Sequence, residues 1–168
     1  MSPTPIVTAV FICAIGALAI PAKAPVVDKV TDANELAAVL SIRTIITAQV
    51  NYNATCGNGG YAPTLVVLHT PPRGSSDRFI DASLGSSLKP EKSGFTFSVT
   101  AGAGSAKGPM DCNGTPTVTK FYASAVPVTP KTGTKSFAVN QNNVIWTMKG
   151  STAPPEPFGP PAQQITIK

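Results

Sequence analysis

Two consecutive stretches, IVTAVFICAIGALAI at residues 6–20 and TDANELAAVLSIRTIITAQVNY at residues 31–52, decide the fold of this 168-residue chain. The first stretch carries no charged side chain, and its apolar residues would cover every face of a helix. Such a helix suits a lipid bilayer or the interior of an assembly, and not the surface of a soluble domain. We therefore predict that residues 1–25 form an apolar helix segment that enters a membrane or an assembly.

The first stretch has a second interpretation as a cleaved secretory signal, because Ala22, Lys23 and Ala24 have the form of a peptidase site. Against it, no Lys or Arg precedes Ile6, and cleavage after Ala24 would leave Pro25 beside the cut. The stretch is also shorter than the roughly 20 residues of a usual membrane span. We favour a retained anchor, and either interpretation carries the rest of the chain across a membrane. The residues assigned to this helix are Ile6, Val10, Phe11, Ile12, Ile15, Leu18, Ile20 and Pro21.

The second stretch is typical of a helix within residues 26–55. Thr31 or Asp32 would cap its N-terminus, with Glu35 in the first turn. Residues 53–60 are rich in Asn and Gly, which tolerate positive φ, and would end the helix.

A helical wheel predicts which side of this helix packs on the rest of the fold. The packed stripe would contain Leu36, Val39, Leu40, Ile46 and Val50, with Ile42 at its flank. Asn34, Ser41 and Gln49 fall elsewhere on the wheel. Arg43 falls inside the stripe, and we interpret it as an aliphatic stem whose guanidinium stays at the edge of the packed face.

Residues 56–150 are predicted to form an antiparallel β domain. The predicted strands are residues 94–100, 117–126, 134–139 and 144–148. The first alternates cleanly, which places Phe95, Phe97 and Val99 on one face. The fold class is therefore predicted to be α+β, with a long N-terminal helix covering the apolar face of a four-stranded antiparallel sheet.

Three further segments have less regular patterns. Residues 65–68 form a turn of helix or an edge strand, and residues 79–84 are expected to tuck apolar side chains under the sheet. The C-terminal segment 151–168 is rich in proline, which favours an extended conformation, and we predict that it packs no core. Within it, residues 164–167 would pair as an edge strand or stay mobile, and we favour the mobile state.

The three cysteines differ in their surroundings. Cys13 lies in the apolar stretch and is most simply a small buried hydrophobic residue. Cys56 and Cys112 lie in turn-forming segments of a domain that is expected to be exported. We therefore predict a Cys56–Cys112 disulfide.

No pattern in the chain predicts catalysis. His69 is the one histidine, and beside Pro71 and Pro72 it is expected to be a surface residue. No G-x-S-x-G motif occurs, and residues 102–105 lack the Lys-Ser/Thr of a phosphate loop, so they are interpreted as a turn. We expect no catalytic residues, no cofactor and no metal site. The net charge of +5 is scattered, so we do not expect nucleic acid as a partner.

The order of these segments resembles bacterial type IV pilins and the related pseudopilins of type II secretion. The similarity rests on the apolar helix ending in Ala19-Ile20-Pro21, on residues 33–35 and 41–52, and on short matches downstream. The downstream matches are residues 60–62, 92–97, 123–127, 132–137 and 143–145. The family's Gly-Phe-Thr-Leu-Ile-Glu type motif does not occur among the 168 residues, and its glutamate position falls near Thr4.

The resemblance implies a structural subunit of a type IV pilus-like or pseudopilus filament, held in the bacterial inner membrane by its N-terminal helix before assembly. It implies three kinds of partner, namely other pilin-like subunits, the inner membrane, and the pilus or secretion assembly machinery. The filament would lie in the periplasm or outside the cell. The alternative is a non-assembling pilin-like binding module, either periplasmic or tethered to the membrane.

Overall fold

Helix α1 spans Val26–Thr55 in the computed structural model, which describes residues 26–165 of the chain. Its 30 residues give a length of about 45 Å at 1.5 Å per residue. The prediction that Thr31 or Asp32 caps the helix is wrong, because both lie inside it. Nothing between Pro25 and Thr31 would interrupt a helix, since that segment contains neither glycine nor proline.

The face of α1 that packs on the sheet differs from the predicted stripe. The buried apolar residues of α1 are Ala38, Val39, Ile42, Ile45, Ala48 and Tyr52. Leu36, Leu40 and Val50 are exposed, whereas Ser41 and Gln49 are buried, so the predicted orientation is wrong for these five. Because α1 is apolar on two opposite sides, periodicity alone could not choose between them. The two alanines on the packed side allow a close approach to the sheet.

Residues 26–165 contain eight strands in two antiparallel sheets. The strands are β1 Glu91–Lys92, β2 Phe95–Ala101, β3 Lys107–Met110, β4 Pro116–Val118, β5 Phe121–Pro127, β6 Lys135–Asn140, β7 Trp146–Lys149 and β8 Gln163–Gln164. The larger sheet has the order β1-β2-β5-β6-β7-β8, and β3 pairs with β4. The α+β class is confirmed, but the prediction of four strands is wrong.

The four predicted strands correspond to β2, β5, β6 and β7, which are neighbours in the larger sheet. The sheet gains two more strands because the two-residue segments β1 and β8 pair along its edges. The predicted strand 117–126 is in fact divided between the two sheets. The Thr119 N–H donates to the Ala106 carbonyl at 3.0 Å, and the chain then bends at Lys120 from β4 into β5.

The core lies between α1 and one face of the larger sheet. Phe95, Phe97 and Val99 of β2 are all buried on that face, as predicted. Opposite Phe97 and Val99 on β5 are Ala125 and Ala123, whose small side chains leave room for the larger side chains of their neighbours. On β6, Phe137 and Val139 extend the same buried face.

Two short helices close one end of this core. Helix α2 spans Leu65–His69 and helix α3 spans Ala82–Gly85. Residues 65–68 are therefore helical, which is one of the two predicted alternatives. Ile80 and Leu84 are buried, as the sequence predicted.

The C-terminal segment covers the opposite face of the larger sheet. The ring of Phe158 stacks on Trp146 with centroids 5.5 Å apart, and the Tyr122 hydroxyl donates to the Pro154 carbonyl at 2.7 Å. Burial and the nearby Glu156 carboxylate raise the pKa of Tyr122 to about 12, so this donor keeps its proton. Residues 151–164 contribute no side chain to the core between α1 and the sheet, and Ile165 packs against its edge. The proline-rich segment instead lies flat on the opposite face of the sheet, as an extended chain can.

The end of this segment is also ordered against the sheet. Gln164 pairs with Trp146 in β8, and the Ile165 N–H donates to the Ile145 carbonyl at 2.9 Å. The preference for a mobile state of residues 164–167 is thus wrong for residues 164 and 165. Residues 166 and 167 lie outside the described part of the chain.

Candidate functional site

The exposed side of α1 is unusually apolar. Its members, which we call the outer face of α1, are Asp32, Ala33, Leu36, Leu40, Arg43, Thr44, Thr47, Val50, Asn51 and Ala54. Leu36, Leu40 and Val50 have exposed fractions of 61%, 53% and 45%. Leu36 and Leu40 are four residues apart, so they are neighbours along one side of the helix.

The outer face of α1 is also almost uncharged. Between residues 30 and 55, Asp32 and Arg43 are the two exposed charged residues, because Glu35 is buried. A helix side that stays in water normally carries several charged side chains. This composition suits a surface that contacts another apolar surface.

Arg43 lies at the border of the outer face. Together with Ile46, Thr47 and the turn that precedes β7, it lines an open depression of about 480 Å³. The guanidinium group can therefore remain in water while apolar residues lie beside its stem.

Three helix residues hold the first turns of α1 to the sheet. Glu35 accepts hydrogen bonds from the Thr134 N–H and hydroxyl, both at 2.8 Å, and forms an ion pair with Lys135 at 3.0 Å. The side-chain amide of Asn34 donates to the Thr132 carbonyl at 3.1 Å. The Thr31 hydroxyl donates to the Lys131 carbonyl at 3.4 Å. We call these contacts the Glu35 clamp. Thr31 and Glu35, which were predicted to lie at the start of the helix, thus form tertiary contacts instead.

The charge of Glu35 is stabilised in the folded state. Burial alone would raise the pKa of this carboxyl, but the hydrogen bonds from Thr134 and Lys135 and the charge of Lys135 lower it below 4.5. A carboxyl whose pKa is lowered by folding contributes stability above its unfolded pKa. That contribution is lost as the pH falls through the folded value.

We therefore predict that Glu35→Gln lowers the free energy of unfolding by about 1 kcal/mol at pH 7, a small value because Lys135 is partly exposed. The difference between this variant and the wild-type chain should shrink as the pH falls below 4.5. Urea unfolding of the full chain in detergent micelles, at a series of pH values, measures this difference. Glu91→Gln, at an exposed position in β1, is the matched control and should show no such convergence.

The last third of α1 is held by a buried amide. Gln49 is fully buried, and its side chain forms two hydrogen bonds of 2.9 Å with the N–H and the carbonyl of Ala62. These bonds satisfy both backbone groups of a residue that is itself fully buried. The loop that follows α1 is thereby fixed against the last third of the helix.

The C-terminal end of α1 is held by a second buried polar pair. The Tyr52 hydroxyl donates to the Asp111 carboxylate at 2.8 Å. Burial and this carboxylate raise the pKa of Tyr52, so the hydroxyl remains a donor. The other carboxylate oxygen accepts from the N–H groups of Asn113 and Thr115, at 2.9 and 2.6 Å. Asp111 therefore shapes the turn that carries Cys112.

The predicted disulfide between Cys56 and Cys112 is confirmed. The two residues are 56 positions apart in sequence, and their Cα atoms are 4.8 Å apart. The Cys112 N–H also donates to the Cys56 carbonyl at 2.8 Å. The bond ties the end of α1 to the smaller sheet, beside the Tyr52–Asp111 pair.

His69, the one histidine of the chain, ends α2. It is half-buried, and its Nδ1 lies 3.1 Å from the Ile80 carbonyl oxygen. The expectation of a simple surface residue is therefore only partly met. This contact joins α2 to the segment before α3.

The residues assigned to the membrane and assembly helix lie outside the described part of the chain, and so does Cys13. They are Ile6, Val10, Phe11, Ile12, Ile15, Leu18, Ile20 and Pro21. Within residues 26–165, no helix has the length and apolar character needed to cross a bilayer. No group of three His, Cys, Asp or Glu side chains in this range is placed to hold a metal ion.

Comparisons of the chain with protein-family models, with curated proteins and with solved structures found no match. The chain's own residues and contacts therefore carry the functional argument. Among them, the outer face of α1 is the surface that sequence reasoning placed wrongly, since it assigned Leu36, Leu40 and Val50 to the packed side. The scarcity of charged residues after Glu35, where Arg43 is the one charged residue up to Thr55, was the signal that both sides need partners.

Proposed function

We propose that this chain is a structural subunit of a type IV pilus-like or pseudopilus filament, anchored in the inner membrane by its N-terminal helix before assembly. The resemblance of its segments to pilins and pseudopilins motivates the proposal. In such a filament the apolar helices lie in the centre and the β domains form the outside.

The observation that carries the proposal is the outer face of α1. Among residues 26–165, its leucines are more than half exposed, since the sheet packs on the other side of the helix. Full burial of a leucine side chain contributes about 1.5–3 kcal/mol. A second helix laid along this face would gain roughly half of that energy at Leu36 and again at Leu40, because each side chain is already partly buried.

The sequence before α1 supports the same assignment. Residues 6–20 are uncharged and apolar, and the outer face continues this character into the part of the chain that also packs on the sheet. The two apolar stretches, which are separated in sequence by Lys23, Asp28, Lys29 and Asp32, would hold the subunit first in a membrane and then against other copies. Cohesion of this kind requires no active site.

The disulfide and the contacts of α1 support a structural role as well. The Glu35 clamp holds the first third of α1 to the β domain, and Gln49 and the Tyr52–Asp111 pair hold its last third. A subunit that transmits load along a filament needs its helix fixed to its outer domain in this way.

We predict that the double variant Leu36→Asp, Leu40→Asp does not assemble, because two buried carboxylates without partners would oppose packing between subunits. Leu88→Asp is the matched control, since Leu88 has the same exposed fraction as Leu36, 61%, but lies outside α1. The variants are expressed in the native cells in place of the wild-type chain. Negative-stain microscopy and immunoblots of sheared surface material, membranes and periplasm then report assembly.

The proposal expects wild-type and Leu88→Asp chains in sheared filaments, and the double variant only in the membrane fraction. Filaments of the double variant would show that the outer face of α1 is not a subunit contact. Intact mass and N-terminal sequencing of the wild-type chain distinguish a filament subunit from a non-assembling pilin-like module. A periplasmic chain that begins at Pro25 and never reaches the sheared fraction would overturn the filament and favour the non-assembling module.

A further inference from the structure

A second surface, far from the outer face of α1 in sequence, has the composition of a ligand site. It is an open depression of about 380 Å³ at the place where the C-terminal segment crosses the turn between β6 and β7. The residues used in the argument below are Asn140, Gln141, Asn142, Trp146, Phe158 and Gln164. The volume falls within the range of about 300–1,000 Å³ that small-molecule sites occupy.

Aromatic rings form one part of the depression. Trp146 and Phe158 stack with an angle of 17° between their planes, and both rings are only half-buried. Tyr122 lies next to Phe158, with ring centroids 6.2 Å apart, and holds the C-terminal segment through its bond to the Pro154 carbonyl. The rings therefore present a rigid apolar surface to whatever enters the depression.

Carboxamides form the other part. Asn140 is buried, and its amide donates to one oxygen of Glu156 at 2.6 Å. The other Glu156 oxygen accepts from the Ala103 N–H at 2.6 Å, and the Asn142 N–H donates to the Asn140 side-chain oxygen at 3.0 Å. These bonds fix the polar side of the depression before any ligand binds.

One acceptor in this group has no partner. The side-chain oxygen of Gln141 is buried and accepts no hydrogen bond from any group in residues 26–165. Because this oxygen is itself buried, it does not contact a ligand in the depression, and hydrogen bonds to a ligand fall to the exposed side chains. Asn142 and Gln164 add two exposed carboxamides, each of which both donates and accepts.

We propose that this depression binds a saccharide. A pyranose ring has an apolar C–H side that fits against an aromatic ring, and hydroxyl groups that each donate and accept, as carboxamides do. Lys120 and Glu156 bring opposite charges to the lining, so the net charge favours neither a cation nor an anion. The inference does not depend on filament assembly, because every residue of the depression belongs to one subunit.

The chain contains one tryptophan, Trp146, so its fluorescence reports directly on the depression. The full chain in detergent micelles is titrated with lactose, maltose, N-acetyllactosamine and sialyllactose, and the emission of Trp146 is recorded. We expect a saturable change with at least one of the four, with a dissociation constant of about 1 mM or lower. A proline-rich decapeptide is titrated in parallel, because aromatic clusters also bind such peptides.

Variants then locate the binding. Asn142→Ala and Gln164→Ala, both at exposed positions, should each weaken the active saccharide by about fivefold, as expected for one lost hydrogen bond, without changing the melting temperature. Asn51→Ala, an exposed carboxamide on the outer face of α1, is the matched control and should leave the affinity unchanged. No saturable response to any of the four saccharides, a response to the peptide alone, or equal weakening by the control would each overturn the proposal.

Discussion

Replacement of Cys56 and Cys112 by serine is expected to lower the free energy of unfolding by about 2–5 kcal/mol. The disulfide closes a loop across 56 positions of sequence. For a loop of that length, the chain-entropy model gives about 4 kcal/mol, because the cross-link restricts the unfolded chain. This loss would be a large part of the roughly 5–15 kcal/mol that holds a typical domain together.

Equilibrium urea unfolding of the full chain in detergent micelles measures the effect. The comparison is made in a Cys13→Ser background, so that the third cysteine cannot pair with Cys56 or Cys112. The background variant with the Cys56–Cys112 pair intact is the control for cysteine loss as such. If the double serine variant unfolds at the same urea concentration as this control, the disulfide does not contribute stability.

The position of the disulfide explains why its loss should destabilise the C-terminal end of α1. Cys56 directly follows α1, and Cys112 directly follows Asp111, the partner of Tyr52. Without the covalent bond, this corner is held by hydrogen bonds: the Tyr52–Asp111 pair, the Cys112–Cys56 backbone bond and the bond from the Asn58 amide to the Met110 carbonyl. The end of α1 is then the part of the molecule where amide exchange should rise first.

The features predicted from sequence are those that local patterns determine. The alternation in β2 places Phe95, Phe97 and Val99 on one face whatever the partner strand is, because successive side chains point to opposite sides. The disulfide was predictable because Cys56 and Cys112 lie in turn-forming segments of a chain expected to be exported. Both predictions depend on a few neighbouring residues and on the cellular compartment.

The features that were missed depend on contacts between distant segments. β8 has two residues, and only the edge of β7 makes it a strand. The proline-rich segment before it has no pattern of its own, yet the stack of Phe158 on Trp146 holds it to the sheet. Sequence reasoning could identify neither partner from the segments alone.

The orientation of α1 was missed for a related reason. The sequence contains two apolar sides, and only the long-range bonds of Glu35 and Gln49 show which of them meets the sheet. Two of the polar residues that the wheel placed elsewhere, Asn34 and Gln49, bind backbone groups of other segments. The side left outside is the one on which the proposed assembly depends, so the same error concealed the candidate functional surface.

Gln49→Ala is expected to lower the free energy of unfolding by about 2–5 kcal/mol, nearly as much as loss of the disulfide. The substitution removes both partners of Ala62, whose N–H and carbonyl would stay buried without hydrogen bonds. Each unsatisfied buried group costs about 1–3 kcal/mol. The smaller side chain also leaves a cavity between α1 and the loop that follows it.

Gln49→Met separates these two causes, because methionine fills a similar volume but forms neither hydrogen bond. We expect Gln49→Met to lower the free energy of unfolding by about half as much as Gln49→Ala. The control Gln163→Ala, at an exposed position in β8, should change the free energy of unfolding by less than about 0.5 kcal/mol. Hydrogen exchange of the Ala62 amide gives a local measurement, since that N–H donates to Gln49 in the wild-type chain. Full stability of Gln49→Met, with slow exchange at Ala62, would mean that packing alone fixes this loop to α1.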